Sequence, residues 1–318
     1  MVNDYSSVFS NELTNYVEFK SALGFKKESF YEDLHSFDLF CKRENLKEIY
    51  FSEDLAVRYL NSLKNLKSTT RYHRFNSARN FLLYLCRKGI NVYVPDNIKF
   101  KQTDFKPHIY TDQEITLYFE VLDNLHFSSY IYELQFPIFF RLLYSSGLRI
   151  GETCLIKLED LDLDKGCIYL KEAKWNSRRI VFLNPSMHTM LKQYFNRRLH
   201  YLSMEDYIFS GDNTLRPLDH KTIYSVHRLI LQEAKIPYLG NGKGPRIHDW
   251  RHTFAVRSFK KLSDLGYDLY AALPILSSYL GHRTIFATER YVRLTKEIYP
   301  DIIDKLNDKF ELIFGEPI

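Results

Sequence analysis

The chain has 318 residues, 45% of them hydrophobic, which is enough for two cored domains or for one large domain with a satellite. A formal net charge of +5 suits a polyanionic partner without requiring one. No apolar run approaches the roughly 20 residues that cross a bilayer, and the longest candidate, around Pro137 to Leu143, is broken by Arg141, so no membrane role is expected. Cys41, Cys86, Cys154 and Cys167 show no CxxC pairing, and the opening MVNDYSSVFS has neither a basic nor an apolar leader region, so a reducing cytoplasm is expected.

Residues 1–95 read as short amphipathic helices forming a small bundle. The last of these starts at Ser68 or Thr69 and stops before Gly89, with Phe75, Ala78, Leu82 and Leu85 at helical spacing. Between Asn61 and Ile90 the chain carries Lys64, Lys67, Arg71, Arg74, Arg79, Arg87 and Lys88 with no acidic residue, interleaved with Tyr72, His73 and Phe75. Charge of one sign over such a length suggests phosphate contact, and a solvated helix face is the plainer alternative.

Residues 96–110 hold no periodicity and read as an extended linker, so a second domain is expected over 111–318. It opens with a capping box at TDQE, Thr111 with Glu114. A long apolar helix through Phe139 to Leu143 ends at Ser145, Ser146 and Gly147. Within 160–184, CIYLKEAKW and RRIVFL flank a polar turn at Asn176 and Ser177, which predicts a β-hairpin. Helices then resume, including one begun by Pro300 with an apolar stripe at Ile303, Leu306, Phe310 and Ile313.

Four places hold polar residues that a plain helical domain does not need. SSGLRIGE puts Arg149 and Glu152 one turn apart after a glycine. Lys174 stands beside the hairpin turn. HDWRH puts His248 and Arg251 three apart on one helix face, and in LGHRTIFATERY His282 precedes Tyr291 by nine residues.

Arranged this way, the chain resembles the tyrosine recombinase (phage integrase) family. That family's pattern is GLRxxE, a hairpin lysine followed by RxVPL, an HxxR box, and LGH nine residues before a nucleophilic tyrosine. Each motif is weak alone and the ordered set is strong. Lys174 is picked over Lys171 by its register against Arg179, Ile180, Val181 and Leu183, and the choice between the two lysines stays open. Phe182, Trp175 and Trp250 depart from the proline, glycine and aliphatic residue usual at their positions, and none of these removes a reactive group.

The chemistry of phosphodiester cleavage fits the same residues. Two permanently charged, planar guanidinium groups, Arg149 and Arg251, suit the nonbridging oxygens of a scissile phosphate, where negative charge must be held. His248 and His282 can hydrogen-bond those oxygens or manage the proton of the attacking phenol. Tyrosine ionises near pH 10, so Tyr291 needs nearby cations, for which Arg149, Arg251 and His282 are the candidates. Taken singly, Arg149 also fits a cation at the C-terminal end of the preceding helix, Glu152 an auxiliary orienting a histidine or arginine or a solvated helix residue, and His252 a structural histidine.

The resemblance implies a mainly α fold with a small antiparallel β-sheet: an N-terminal SAM-like core-binding helical bundle, with Lys64, Lys67, Arg71, Arg74 and Arg79 as DNA contacts, and an α+β catalytic domain. It implies Lys174 as general acid, a 3′-phosphotyrosyl intermediate, and neither metal nor cofactor. It further implies a C-shaped clamp on duplex DNA bearing specific recombination sites, a C-terminal helix docking on a neighbour to build a homo-tetramer, and accessory DNA-bending proteins, although an intramolecular resting place fits the C-terminal stripe equally well. A mobile-element recombinase is the preferred setting. A type IB topoisomerase and a non-catalytic DNA-binding factor are the rivals. LGH before Tyr291 and the N-terminal bundle speak against the first, and the intact constellation against the second.

Overall fold

A computed structural model describes residues 5–98, 106–171, 178–238, 240, 244–282 and 284–299. The chain divides into two compact units, Met1–Phe105 and Lys106–Ile318. Lys174 with the hairpin turn, part of the linker, and the stripe Ile303, Leu306, Phe310 and Ile313 lie outside the described residues.

The first unit is a four-helix cluster: α1 (Ser10–Ala22), α2 (Glu28–Arg43), α3 (Glu53–Ser62) and α4 (Ser68–Arg87). Phe75, Ala78, Leu82 and Leu85 of α4 are buried, as their spacing predicts. Phe9, Phe37 and Phe81 meet at the centre, Phe81 standing edge-on to both of the others. Such ring pairs add a little to what burial of their area already contributes. Ser52 starts α3 by accepting from the Leu55 N–H, the bond that offsets an orphan donor at a helix N-terminus.

The second unit begins with α5 (Asp112–Asn124), where the expected Thr111–Glu114 capping box is formed in both directions. Next come α6 (Tyr130–Ser146), the five-residue α7 (Ile150–Cys154), and an antiparallel sheet in the order β1 (Leu161–Asp162), β2 (Cys167–Leu170), β3 (Arg179–Phe182). The β2–β3 pair is the predicted hairpin, with Cys167 opposite Phe182 and Leu170 opposite Arg179. The third strand went unforeseen because two residues carry no readable alternation.

The unit is completed by α8 (Pro185–Arg197), α9 (His220–Glu233), α10 (Asp249–Asp264), α11 (Leu269–Leu280) and α12 (Phe286–Ile298). Helix α10 packs against α6, α11 and α12, and so stands where the separate motifs can meet. Its Trp250 is fully buried and stacks on Tyr110, with centroids 3.9 Å apart and planes 4° from parallel. The Tyr110 N–H donates to Thr253 Oγ1 at 3.0 Å. The tryptophan that departs from the family pattern thus fastens the start of the unit to α10. Among the described residues no helix is long and apolar enough to cross a membrane.

Candidate active site

Two glycines prepare the site. Gly147 ends α6 and Gly281 ends α11, both left-handed, with φ of +63° and +65°. Such caps are glycine's role at helix C-termini, because a Cβ there is strained. At Gly147 a Cβ would also run into the Phe254 ring, and at Gly281 it would stand 2.7 Å from Arg179 Nη1. Each cap leaves carbonyl groups at the negative end of its helix without partners inside that helix.

The arginines of the other motifs fill those positions. Arg251, in the first turn of α10 and 1% exposed, donates from Nη1 to the Gly147 carbonyl at 2.7 Å and from Nη2 to the Leu280 carbonyl at 2.6 Å. Arg149 donates from Nη2 to the Gly281 carbonyl at 3.1 Å. The plainer alternative for Arg149 made it a cation at the end of the preceding helix. Arg251 takes that place instead, and Arg149 turns to the end of α11. Burial, followed by the charge of Arg149, lowers the Arg251 pKa to about 10, so it stays a cation at neutral pH.

Glu152 joins two cations. Its carboxylate accepts from Arg149 Nη1 at 2.6 Å and the Arg149 N–H at 2.9 Å, and from Arg179 Nη1 at 3.0 Å and Nη2 at 2.7 Å. Burial pushes this carboxyl up, but the hydrogen bonds and charge of Arg179, with Arg149 behind them, hold it at about 2. Its partners are arginines and not a histidine.

Tyr291, on α12, is 2% exposed. Burial raises its pKa, and the opposing charges of Arg251, Arg290 and Arg149 do not overcome that. His282 stacks on it at 6.0 Å and 13°, and His252 lies 5.4 Å from it. His282 Nδ1 is bonded to Thr288 Oγ1 at 2.7 Å, which leaves its Nε2 to face elsewhere. Burial, then the surrounding arginines, depress His282 to about 3. Burial and the nearby arginines thus favour the neutral imidazole of His282 in the chain without bound phosphate.

His248 stands at the N-cap of α10, one residue ahead of the helix, and its ring lies 4.8 Å from that of His252. His248 is exposed at the surface, and packing, then Arg251 and Arg246, lower its pKa. The structure thus brings Arg149, Glu152, His248, Arg251, His282 and Tyr291 into one neighbourhood. Lys171, the alternative to Lys174, has its Nζ 3.0 Å from Glu159 and 3.1 Å from Asp160.

Sequence reading treated Arg179 only as a register mark and passed over Thr288. Their signals were faint: an arginine opening the strand after the hairpin, and a threonine six residues after a histidine. It also missed a groove beside α9 lined by Lys221, Tyr224, Arg228, Tyr238 and Arg246. In the first unit Lys64 and Lys67 are exposed, whereas Arg79 donates from Nε to the Pro95 carbonyl at 2.7 Å and Arg74 reaches Ser36. Among the described residues no three His, Cys, Asp or Glu side chains are grouped so as to hold a metal ion.

Comparison with known proteins gives this geometry a setting. Sinorhizobium fredii y4rB, whose name places it among integrases and recombinases, is 26% identical over 317 residues, covering 96% of this chain and 99% of its own. Tyrosine recombinase XerC of Staphylococcus carnosus is 25% identical over 276 residues, 85% of this chain and 86% of its own. The fold is shared with the solved Tn1549 transposon integrase in complex with transposon right end DNA, at a TM-score of 0.67 and 15% identity, covering 93% of this chain and 100% of that one. The model of the phage integrase family matches residues 112–297, a span that runs from the first residue of α5 through Tyr291 and takes in the four polar motifs of the site. With more than half of the chain inside that match, it belongs to the phage integrase family of tyrosine recombinases.

Proposed function

We propose that this chain is a site-specific DNA recombinase whose Tyr291 cleaves and rejoins DNA strands through a 3′-phosphotyrosyl bond. The observation that carries the assignment is the meeting of Arg149 and Arg251 beside Tyr291, each fixed by the end of a helix that belongs to a different motif. Their remaining donors suit the nonbridging oxygens of a phosphate, where charge accumulates in the transition state.

In the forward step the Tyr291 oxygen bonds to phosphorus and the bond to the 5′ oxygen breaks. The phenol proton passes to a neutral imidazole, for which His248 and His282 are available, and the leaving oxygen takes a proton from a general acid. Lys174 is the preferred acid, because the Lys171 ammonium is engaged by two carboxylates. The phosphotyrosyl bond conserves the phosphodiester energy, so a 5′ hydroxyl from another strand can reverse the step and restore the phenol.

Lys64 and Lys67, with Arg71 and Arg74, are proposed phosphate contacts of the first unit, and the groove at Lys221 and Arg228 a contact of the second. Two duplexes present four strands and each chain offers one Tyr291, so a homo-tetramer on DNA is the proposed working form, with accessory DNA-bending proteins as partners. Four unpaired cysteines, Cys86 exposed among them, suit the cytoplasm. A mobile element is the proposed setting.

Covalent trapping tests the assignment. Nicked duplexes from the DNA flanking its own gene, incubated with wild type, should give protein joined to a 3′ end on denaturing gels. Tyr291→Phe should shift the same DNA without the adduct. If neither protein forms an adduct on DNA that both bind tightly, Tyr291 is not a nucleophile and the chain is a DNA-binding factor.

A further inference from the structure

Arg179 opens β3, five residues beyond Lys174, and its side chain is only 8% exposed. Both of its terminal nitrogens bond to Glu152, in the paired geometry that suits a guanidinium and a carboxylate. Glu152 gives its remaining acceptor capacity to Arg149, so four donors from two arginines share one carboxylate. On its other side Arg179 lies against Gly281, leaving no room for a Cβ, and the carbonyl of Gly281 is the second group that holds Arg149. Arg179 is therefore packed against both anchors of Arg149 without being bonded to Arg149 itself.

Charge sharing follows from this arrangement. With Arg179 present, the single negative charge of Glu152 is divided between two cations, and Arg149 keeps positive charge to offer a phosphate. Without Arg179, the whole charge of Glu152 bears on Arg149 at low local dielectric. Arg149 is then drawn toward the carboxylate, and the space beside Gly281 opens.

We propose that Arg179 is a positioning residue for strand cleavage, acting through Glu152 and Gly281 to hold Arg149 aimed at the scissile phosphate. This rests on the roles proposed above for Arg149 and Tyr291.

The test uses full-length wild type, Arg179→Met, Arg179→Lys, Arg149→Ala and Tyr291→Phe. Each is given nicked duplex with either an ordinary scissile phosphodiester or a methylphosphonate there, in which an uncharged methyl replaces one nonbridging oxygen. Adduct formation is followed in single turnover, and DNA affinity by gel shift.

Arg179→Met is expected to bind DNA like wild type but to form adduct roughly 10- to 100-fold more slowly on the phosphodiester, the scale on which small misplacements act. Arg179→Lys should recover part of that rate. On methylphosphonate, where the charge that Arg149 neutralises is absent, the penalties of Arg179→Met and Arg149→Ala should shrink together.

Equal penalties for Arg179→Met on both substrates, or none on the phosphodiester, would overturn the proposal and leave Arg179 as support for the fold alone. If Arg179→Met fails to fold by circular dichroism, Arg179→Lys is judged by the same comparison of substrates. Absence of a wild-type adduct, or an Arg149→Ala rate equal to wild type, would instead bring down the reading on which the proposal rests.

Discussion

Glu152→Gln should destabilise the protein by about 3 kcal/mol at pH 7, and two independent routes give that size. The carboxyl is 7% exposed and is held at about 2 against an ordinary 4.5, burial opposing the shift and Arg179 and then Arg149 driving it. That difference corresponds to about 3 kcal/mol at roughly 1.4 kcal/mol per pH unit. Removing one partner of a buried ion pair costs about 3–5 kcal/mol in general. Glutamine offers one acceptor oxygen where four donors converge, and its amide N–H groups would face arginine. Because the folded carboxyl ionises more readily than the unfolded one, its contribution is complete above about pH 4.5 and is lost as the pH falls toward 2. Urea unfolding of wild type and variant at pH 7, repeated at stepwise lower pH, reads both features. A difference below about 0.5 kcal/mol at pH 7, the range of an ordinary surface change, would refute the reasoning. So would a gap that fails to narrow below pH 4.5.

Gly281→Ala should lower the melting temperature and slow adduct formation, since φ of +65° strains any side chain by about 1–2 kcal/mol and the new Cβ meets Arg179. Full stability and full rate would show that the α11 cap tolerates a side chain. Lys64→Ala and Lys67→Ala should each flatten the dependence of log affinity on log salt by about 0.9 if each neutralises one phosphate. Arg79→Ala should lower stability more than the salt slope, because its Nε serves the Pro95 carbonyl, and the opposite pattern would return Arg79 to the DNA contacts. Since burial and then nearby arginines hold His282 at about 3, it stays neutral as the pH drops from 7 to about 5. In a His248→Gln background, which removes the exposed imidazole, the cleavage rate should show no histidine step near 6.5, and such a step would mean that His282 is more solvated than the structure shows.

What the sequence disclosed, it disclosed where local chemistry is decisive. TDQE marks a helix start because Thr111 and Glu114 satisfy each other's backbone groups, and Gly147 marks a helix end because the left-handed cap excludes a Cβ. The hairpin showed in its alternation, and the first bundle in the spacing of Phe75, Ala78, Leu82 and Leu85. Hidden were the features that depend on which element meets which. Nothing in HDWRH says that Arg251 reaches two helix ends, and nothing in RRIVFL says that Arg179 rather than Arg178 turns toward Glu152. The one-signed charge of α4 was visible, but the diversion of Arg79 to the Pro95 carbonyl needed the fold. His282 was expected as a partner of the phenol, yet its lowered pKa comes from burial, which spacing does not report.

The placement of the arginines also explains how a site made from helix C-termini can receive an anion. Two helices, α6 and α11, direct their C-terminal ends into the same space, and each such end carries partial negative charge that repels phosphate. Arg251 spans both ends with two short hydrogen bonds, and Arg149 takes the outermost carbonyl of α11. The bonds that satisfy orphaned carbonyls therefore reverse the sign of the space and fix the direction of each guanidinium before any ligand arrives. A guanidinium has five donors, so Arg251 can span both ends and keep donors beside the Tyr291 phenol, whereas a lysine ammonium has three at a single point. Tyr291 completes the arrangement in a protected form, since its burial keeps the phenol protonated while its neighbours are cations. A phosphate entering this space would add the negative charge that Arg149 and Arg251 are placed to meet, and the phenol's ionisation would remain the step to be eased. The proposed affinity for phosphate and the raised pKa of Tyr291 thus trace to the same packing of α10 against α6, α11 and α12.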